Sequence, residues 1–179
     1  MDFFQNIIQF DEIDSTNDFL KKNYKNLPNI TTIRTGFQAK GRGQFERTWE
    51  SDKNQNAIIS ILFKTYLPPL MKNINSNIVN AIINTLREYG ITDATFKYPN
   101  DVTVQNNKIA GILIETKYDN KKFEYMIIGI GININQETFK TAGAISLKNL
   151  IKKDVDLNEF INKLCNNLLK IIKLNICNR

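Results

Sequence analysis

Residues 94–133, ATFKYPNDVTVQNNKIAGILIETKYDNKKFEYMIIGIGIN, decide the fold. Ala94–Tyr98, Val102–Gln105, Lys108–Lys117 and Lys122–Asn133 are rich in β-branched and aromatic residues and read as strands. Pro99-Asn100-Asp101 interrupts the first two, and Asn106-Asn107 and Asp119-Asn120 supply turns between the others. Strands joined by connections this short pair antiparallel. Upstream, Ile74, Ile78, Ile82, Leu86 and Tyr89 recur at helical spacing, and Gly90 ends that helix. Leu67-Pro68-Pro69 breaks the chain before it. Asn56–Lys64, Ile30–Phe37 and Ile7–Ile13 read as further strands, and Ser15 or Thr16 caps a helix reaching about Tyr24. Downstream, Leu157, Phe160, Ile161, Leu164, Leu168 and Ile171 mark an amphipathic helix. The pattern predicts an α+β fold: a mixed, mostly antiparallel sheet with helices packed mainly on one face.

Composition narrows the chemistry. The 179 residues include 24 Lys+Arg against 18 Asp+Glu, a net charge of +6, spread along the chain. That suits an anionic substrate, an acidic partner or nucleic acid alike. There is no histidine, which excludes Ser-His and Cys-His nucleophile systems and imidazole metal ligands. Two cysteines, Cys165 and Cys177, are too few for a zinc site of their own and read as buried or idle thiols in a reducing compartment, with a disulfide as the alternative. No basic and apolar leader opens the chain, and no apolar run is long enough for a membrane helix, so a cytoplasmic protein is expected. The absence of any repeat or linker predicts one domain over 1–179.

Four segments could carry chemistry. Gln38–Trp49, QAKGRGQFERTW, combines glycines that admit close backbone approach with Arg42 and Arg47, which bind oxyanions; a solvated basic loop has the same composition. Lys97-Tyr98-Pro99-Asn100-Asp101 turns polar groups out of a strand, as an ordinary turn also does, and Lys108 opens the next strand with Gly111 three residues on. In Ile127-Ile128-Gly129-Ile130-Gly131-Ile132-Asn133, glycines leave one strand face bare, able to accept a flat ring or a closely packed helix. Ser15-Thr16-Asn17 at a helix start offers small polar groups to a ureido or carboxamide head, besides capping the helix.

In this order, STN, GRG…R.W, K-aromatic-PND, K.AGIL.E and G.GIN.N, the segments resemble the biotin protein ligase family from about Phe10 to the last helix. The resemblance implies a catalytic fold related to class II aminoacyl-tRNA synthetases and lipoate ligases. It implies an AMP-forming enzyme that uses ATP with Mg2+ to activate biotin as biotinyl-5′-AMP, then transfers it to a lysine of a biotin carboxyl carrier protein. The attacking carboxylate is already ionised at neutral pH, so no histidine base is needed; cations that offset charge are. The resemblance assigns Ser15, Thr16, Asn17, Gln38, Gly41, Arg42, Gly43, Gln44, Lys108, Gly111 and Leu113 to biotin, and Arg42, Arg47, Trp49, Asn100, Lys108 and Asn133 to ATP. Lys108 and Arg42 are the expected catalytic cations, with Asp101 accepting or orienting the carrier amine's proton. No protein metal ligand is implied, since Mg2+ travels with ATP.

The chain departs from the family where GRGR..GR.W is usual: Gln44 replaces the second arginine and Glu46 the later glycine, which predicts looser retention of the adenylate. The helix-turn-helix of repressor-type members is expected to be absent; for the small β-barrel that usually follows the catalytic domain, the expectation is that it is absent or that this sequence is a fragment. The expected partner is the carrier protein, with no DNA, no membrane, and a monomer or weak homodimer. Two rival readings are a lipoate or octanoate ligase on the same fold, whose usual signature has a histidine, and a non-catalytic biotin-binding module.

Overall fold

The computed structural model describes residues 6–45, 47–66 and 68–177. Its strands are β1 (Asn6–Phe10), β2 (Thr31–Thr35), β3 (Ala57–Phe63), β4 (Thr95–Lys97), β5 (Asp101–Val104), β6 (Asn107–Asp119) and β7 (Lys122–Ile132). They form one seven-stranded sheet in the order β1-β2-β3-β7-β6-β5-β4. β1 and β2 run parallel, while β2/β3, β4/β5 and β5/β6 are antiparallel, which is the mixed, mostly antiparallel sheet expected. The helices are α1 (Thr16–Asn23), α2 (Pro68–Lys72), α3 (Ile74–Arg87), α4 (Leu147–Ile151) and α5 (Leu157–Cys177).

The chain falls into two compact units, one of residues 1–66 with Ile112–Gly131, the other of residues 67–111 with 132–179. In the first, the Ser15 hydroxyl caps α1 by accepting from the Asp18 N–H. The apolar side of α1 then packs Leu20 against Ile33, Leu62, Tyr125 and Ile127, with Phe10, Phe19 and Tyr24 around them. All seven residues of β3 are buried, so both faces of that strand are covered. In the second unit, α3 buries Ile78, Val79, Ile82 and Leu86 and α5 buries Phe160, Leu164 and Leu168. The rings of Tyr89 and Phe160 meet at 5.4 Å, and Asn167 of α5 donates to Thr85 and Glu88. Cys165 is buried.

Several expected boundaries move. The tight turns fall at Gln105-Asn106 and Asn120-Lys121, not at Asn106-Asn107 and Asp119-Asn120; all four of these residues have positive φ, as a type I′ hairpin turn requires. Pro68 does not merely break the chain but opens α2, because a proline in the first turn lacks only an N–H that the helix would not use. The short helix α4 was not expected; Ser146 and Asn149 form its reciprocal capping box.

Candidate functional site

In the first unit the Gln38–Trp49 loop is a small hairpin. Ala39 and Lys40 N–H groups donate to the Ile13 and Asp14 carbonyls, fixing the loop's entry beside the start of α1. Beyond it, Gly43 N–H donates to Arg47 O and Trp49 N–H to Gly41 O. Glu46 lies outside the described residues. The loop walls a cavity of about 800 Å³ with Lys40, Arg42, Gly43, Gln44, Arg47 and, from β6, Leu113 and Glu115.

Arg42 is not an isolated cation. Its Nε lies 3.1 Å from Asp18 Oδ2, and its Nη2 lies 2.8 Å from Asp18 Oδ1 and 3.1 and 3.0 Å from the two oxygens of Glu115. Glu115 also accepts from Lys21 Nζ at 2.5 Å and Asn17 Nδ2 at 2.8 Å. Burial alone would lower the Arg42 pKa, but Glu115 and then Asp18 outweigh it and hold the guanidinium above its ordinary value. Burial would likewise raise Glu115; hydrogen bonds from Lys21 and Asn17, with the charges of Lys21 and Arg42, keep its carboxyl below the usual range.

Ser15, Thr16 and Asn17 are buried and bonded to one another's neighbours. Gln38 Oε1 accepts from the Thr16 N–H at 2.8 Å and lies 2.9 Å from Thr16 Oγ1. Thr16 Oγ1 lies 2.7 Å from Ser60 Oγ, which lies 2.6 Å from Asn17 Oδ1. The Thr16 N–H fixes the oxygen of Gln38, and Glu115 fixes the nitrogen of Asn17, so neither amide can turn to donate. Three oxygen–oxygen contacts therefore share two hydroxyl protons; when Thr16 donates to Ser60 and Ser60 to Asn17, Gln38 Oε1 accepts only the Thr16 N–H and keeps a lone pair. Gln38 is the partly exposed end of this chain, adjacent in sequence to the cavity wall. That lone pair of Gln38 Oε1 can accept an N–H from outside.

The bare glycine face of β7 is filled by the protein itself. A Cβ on Gly129 would stand 2.6 Å from Asn17 Oδ1, and one on Gly131 would stand 2.4 Å from the Trp49 ring. Both readings of that face hold, helix packing at Gly129 and a flat ring at Gly131, but the ring is Trp49. Gly41 is equally confined, its Cβ position lying 2.8 Å from Trp49 O.

In the second unit Lys108 Nζ lies 2.7 Å from Asp101 Oδ1, an ion pair set out of hydrogen-bond alignment. A register shift arranges it. Asp101 faces Gly111 and Val102 faces Ala110, but Thr103 faces Lys108 rather than Ile109. Unbroken pairing would put Lys108 opposite Val104, on the sheet face away from Asp101; the bulge turns it to Asp101's face. The backbone of Lys108 is clasped on both sides: its N–H donates to Gly143 O, and its carbonyl accepts from Ile145 N–H and Asn133 Nδ2. Asn133 is buried and donates also to Ile145 O at 3.1 Å, so its amide N–H groups serve the clasp. Asn100 is half-buried in the turn before β5. Asp18, Lys21, Ser60 and Glu115 are the site residues to which sequence reading gave no role.

The first unit thus sets a buried polar chain beside a cavity lined by three cationic side chains, and the second holds a clasped lysine–aspartate pair. Residues 9–133 match the biotin/lipoate A/B protein ligase family, and the chain belongs to it. It is 30% identical over 114 residues to the bifunctional ligase/repressor BirA of Bacillus subtilis, covering 63% of this chain and 35% of that protein. It is 28% identical over 162 residues to the chloroplastic biotin–protein ligase 1 of Arabidopsis thaliana, covering 84% and 44%. The chain thus spans less than half the length of these relatives. Among solved structures, the biotin protein ligase of Aquifex aeolicus in complex with biotin and ATP superposes with a TM-score of 0.79 at 28% identity, covering 96% of this chain and 72% of that one.

Proposed function

We propose that this chain carries the catalytic machinery of a biotin protein ligase, which joins biotin to AMP and then to a lysine of a carrier protein. The family, the biotin ligases among its relatives, and the Aquifex likeness support the reading at the level of ligase and biotin. The observation that carries it to biotin is the polar chain of Gln38, Thr16, Ser60 and Asn17, whose part-exposed end, Gln38 Oε1, has a lone pair to accept a further N–H once Thr16 donates to Ser60. The ureido ring of biotin has two such groups, and the dithiolane ring of lipoate has none. A putative lipoate protein ligase from T. acidophilum shares the fold at 11% identity and a TM-score of 0.63, and so bears on the fold alone.

In this reading Arg42, Lys40 and Arg47 offset the charge brought together when a carboxylate meets a triphosphate. Lys108 supplies a second fixed charge, and Asp101 holds its ammonium group. Asp101 is thereby a positioning acid for Lys108 as well as the acceptor proposed for the carrier amine's proton. Mg2+ comes with ATP.

The test is incubation of the 179-residue chain with MgATP, a biotin-carrier domain and an equimolar mixture of biotin and lipoate, read by the mass of the carrier. The reading expects the mass of one biotin on one lysine. Lipoylation, or an unmodified carrier, overturns it.

A further inference from the structure

We propose that Glu115 is the positioning residue that sets both ends of the ligand site at once, orienting Arg42 for the anion and Asn17 for the ring. The proposal rests on the ligase reading for its substrates but on geometry for its substance.

A carboxylate has about four lone-pair positions. Lys21, Asn17 and two contacts from Arg42 Nη2 occupy the two oxygens of Glu115, which leaves it no capacity to take a substrate proton. Its side chain is only 22% exposed, so its orientation is dictated by these partners. On one side, Glu115 and Asp18 engage the Nε and Nη2 groups of Arg42, and every protein bond of the guanidinium among the described residues is of this kind. The two Nη1 N–H groups are left for an oxyanion, with the plane of the fork already set. On the other side, Glu115 determines which end of the Asn17 amide faces it. That choice presents Asn17 Oδ1 to Ser60 and so fixes the direction of the whole chain to Gln38. Without a full carboxylate at position 115, only the Leu113 carbonyl, 3.5 Å from Asn17 Nδ2, opposes the Asn17 amide turning over.

Glu115→Gln is a sharp probe. It puts an NH2 group among three donors, Lys21, Arg42 and Asn17, where an acceptor stood. Biotin-dependent ATP–pyrophosphate exchange should show KM raised about 10-fold or more for both biotin and ATP, a geometric misplacement effect. Glu115→Asp, which keeps both acceptors, should recover part of each. In an Arg42→Ala background Glu115→Gln should lose its effect on ATP but keep that on biotin; in an Asn17→Ala background the reverse should hold. A melting temperature that falls with both KM values unchanged, or the same KM effects in every background, overturns the proposal. If the unaltered chain performs no exchange, the ligase reading fails. The Asn17 side-chain amide in 1H–15N spectra, identified by its loss in Asn17→Ala, then decides the positioning claim. Glu115→Gln should shift that signal; an unmoved signal overturns the claim.

Discussion

Arg42 and Lys108 are both cations proposed to meet the same anionic substrates, yet they are held in different ways. Arg42 is fixed through its side chain, by Asp18 and Glu115, in a network that also includes Lys21 and Asn17. Lys108 is fixed through its backbone, by hydrogen bonds to Gly143, Ile145 and Asn133 and by a register shift, with Asp101 on its ammonium group. The first arrangement depends on charge and so on pH and substitution of distant residues. The second depends on main-chain geometry, so its side chain can be changed without disturbing what places it.

The largest effect that distinguishes them is on Lys108 itself. Lys108→Ala should lower the rate of biotin-dependent exchange by about 100-fold or more, as losing a charge-stabilising group does, while a thermal melt stays near that of the parent chain. A collapse of the melting temperature would show that the side chain, not the clasp, holds this region. Next is Asn133→Ala, which leaves the part-buried carbonyls of Lys108 and Ile145 without their side-chain amide donor. Urea unfolding should show a loss of about 1–3 kcal/mol, with activity reduced by displacement of Lys108. Comparable in size is Gly131→Ala, whose methyl group would stand 2.4 Å from the Trp49 ring. Overpacking of this kind costs about 1–3 kcal/mol, and the emission of Trp49, the single tryptophan, should change as the ring is displaced. Unchanged fluorescence would contradict the packing described here.

The smallest effect is the pH dependence that the Arg42 region should have. Glu115 has a folded pKa below its unfolded value of about 4.3. A depressed carboxyl stabilises the folded state above the unfolded value, and that stability is lost as pH falls through the folded one. The stability difference between the parent and Glu115→Gln should therefore be full near neutrality and shrink only below about pH 4.3. A difference that is constant from neutrality to acid would show that Glu115 is not held ionised by its neighbours.

Much of this was legible in the sequence, and the gaps have physical causes. The β5–β6–β7 meander could be read from its apolar runs and asparagine turns, but each turn lay one residue further along or back, because Gln105 and Lys121 in left-handed backbone carry no compositional signal. The fixed order of short motifs led to the family and singled out Arg42 and Lys108 as candidate cations. What could not be read was what those cations touch. Glu115 is 73 residues from Arg42 and 98 from Asn17 along the chain, and only the fold brings them together. Ser60 did leave a trace: it is the single hydroxyl within Ala57–Phe63, a seven-residue run that is otherwise apolar and wholly buried. A lone polar group in such a strand must have a partner, and here the partners are Thr16 and Asn17.

The central claim is that this site activates biotin rather than another small acid, and isotope exchange between ATP and labelled pyrophosphate tests it most directly. With MgATP and no carrier, the account predicts exchange that starts on addition of biotin, is not supported by lipoate, and is lost in Lys108→Ala. Exchange supported equally by lipoate, or none with biotin, would contradict it.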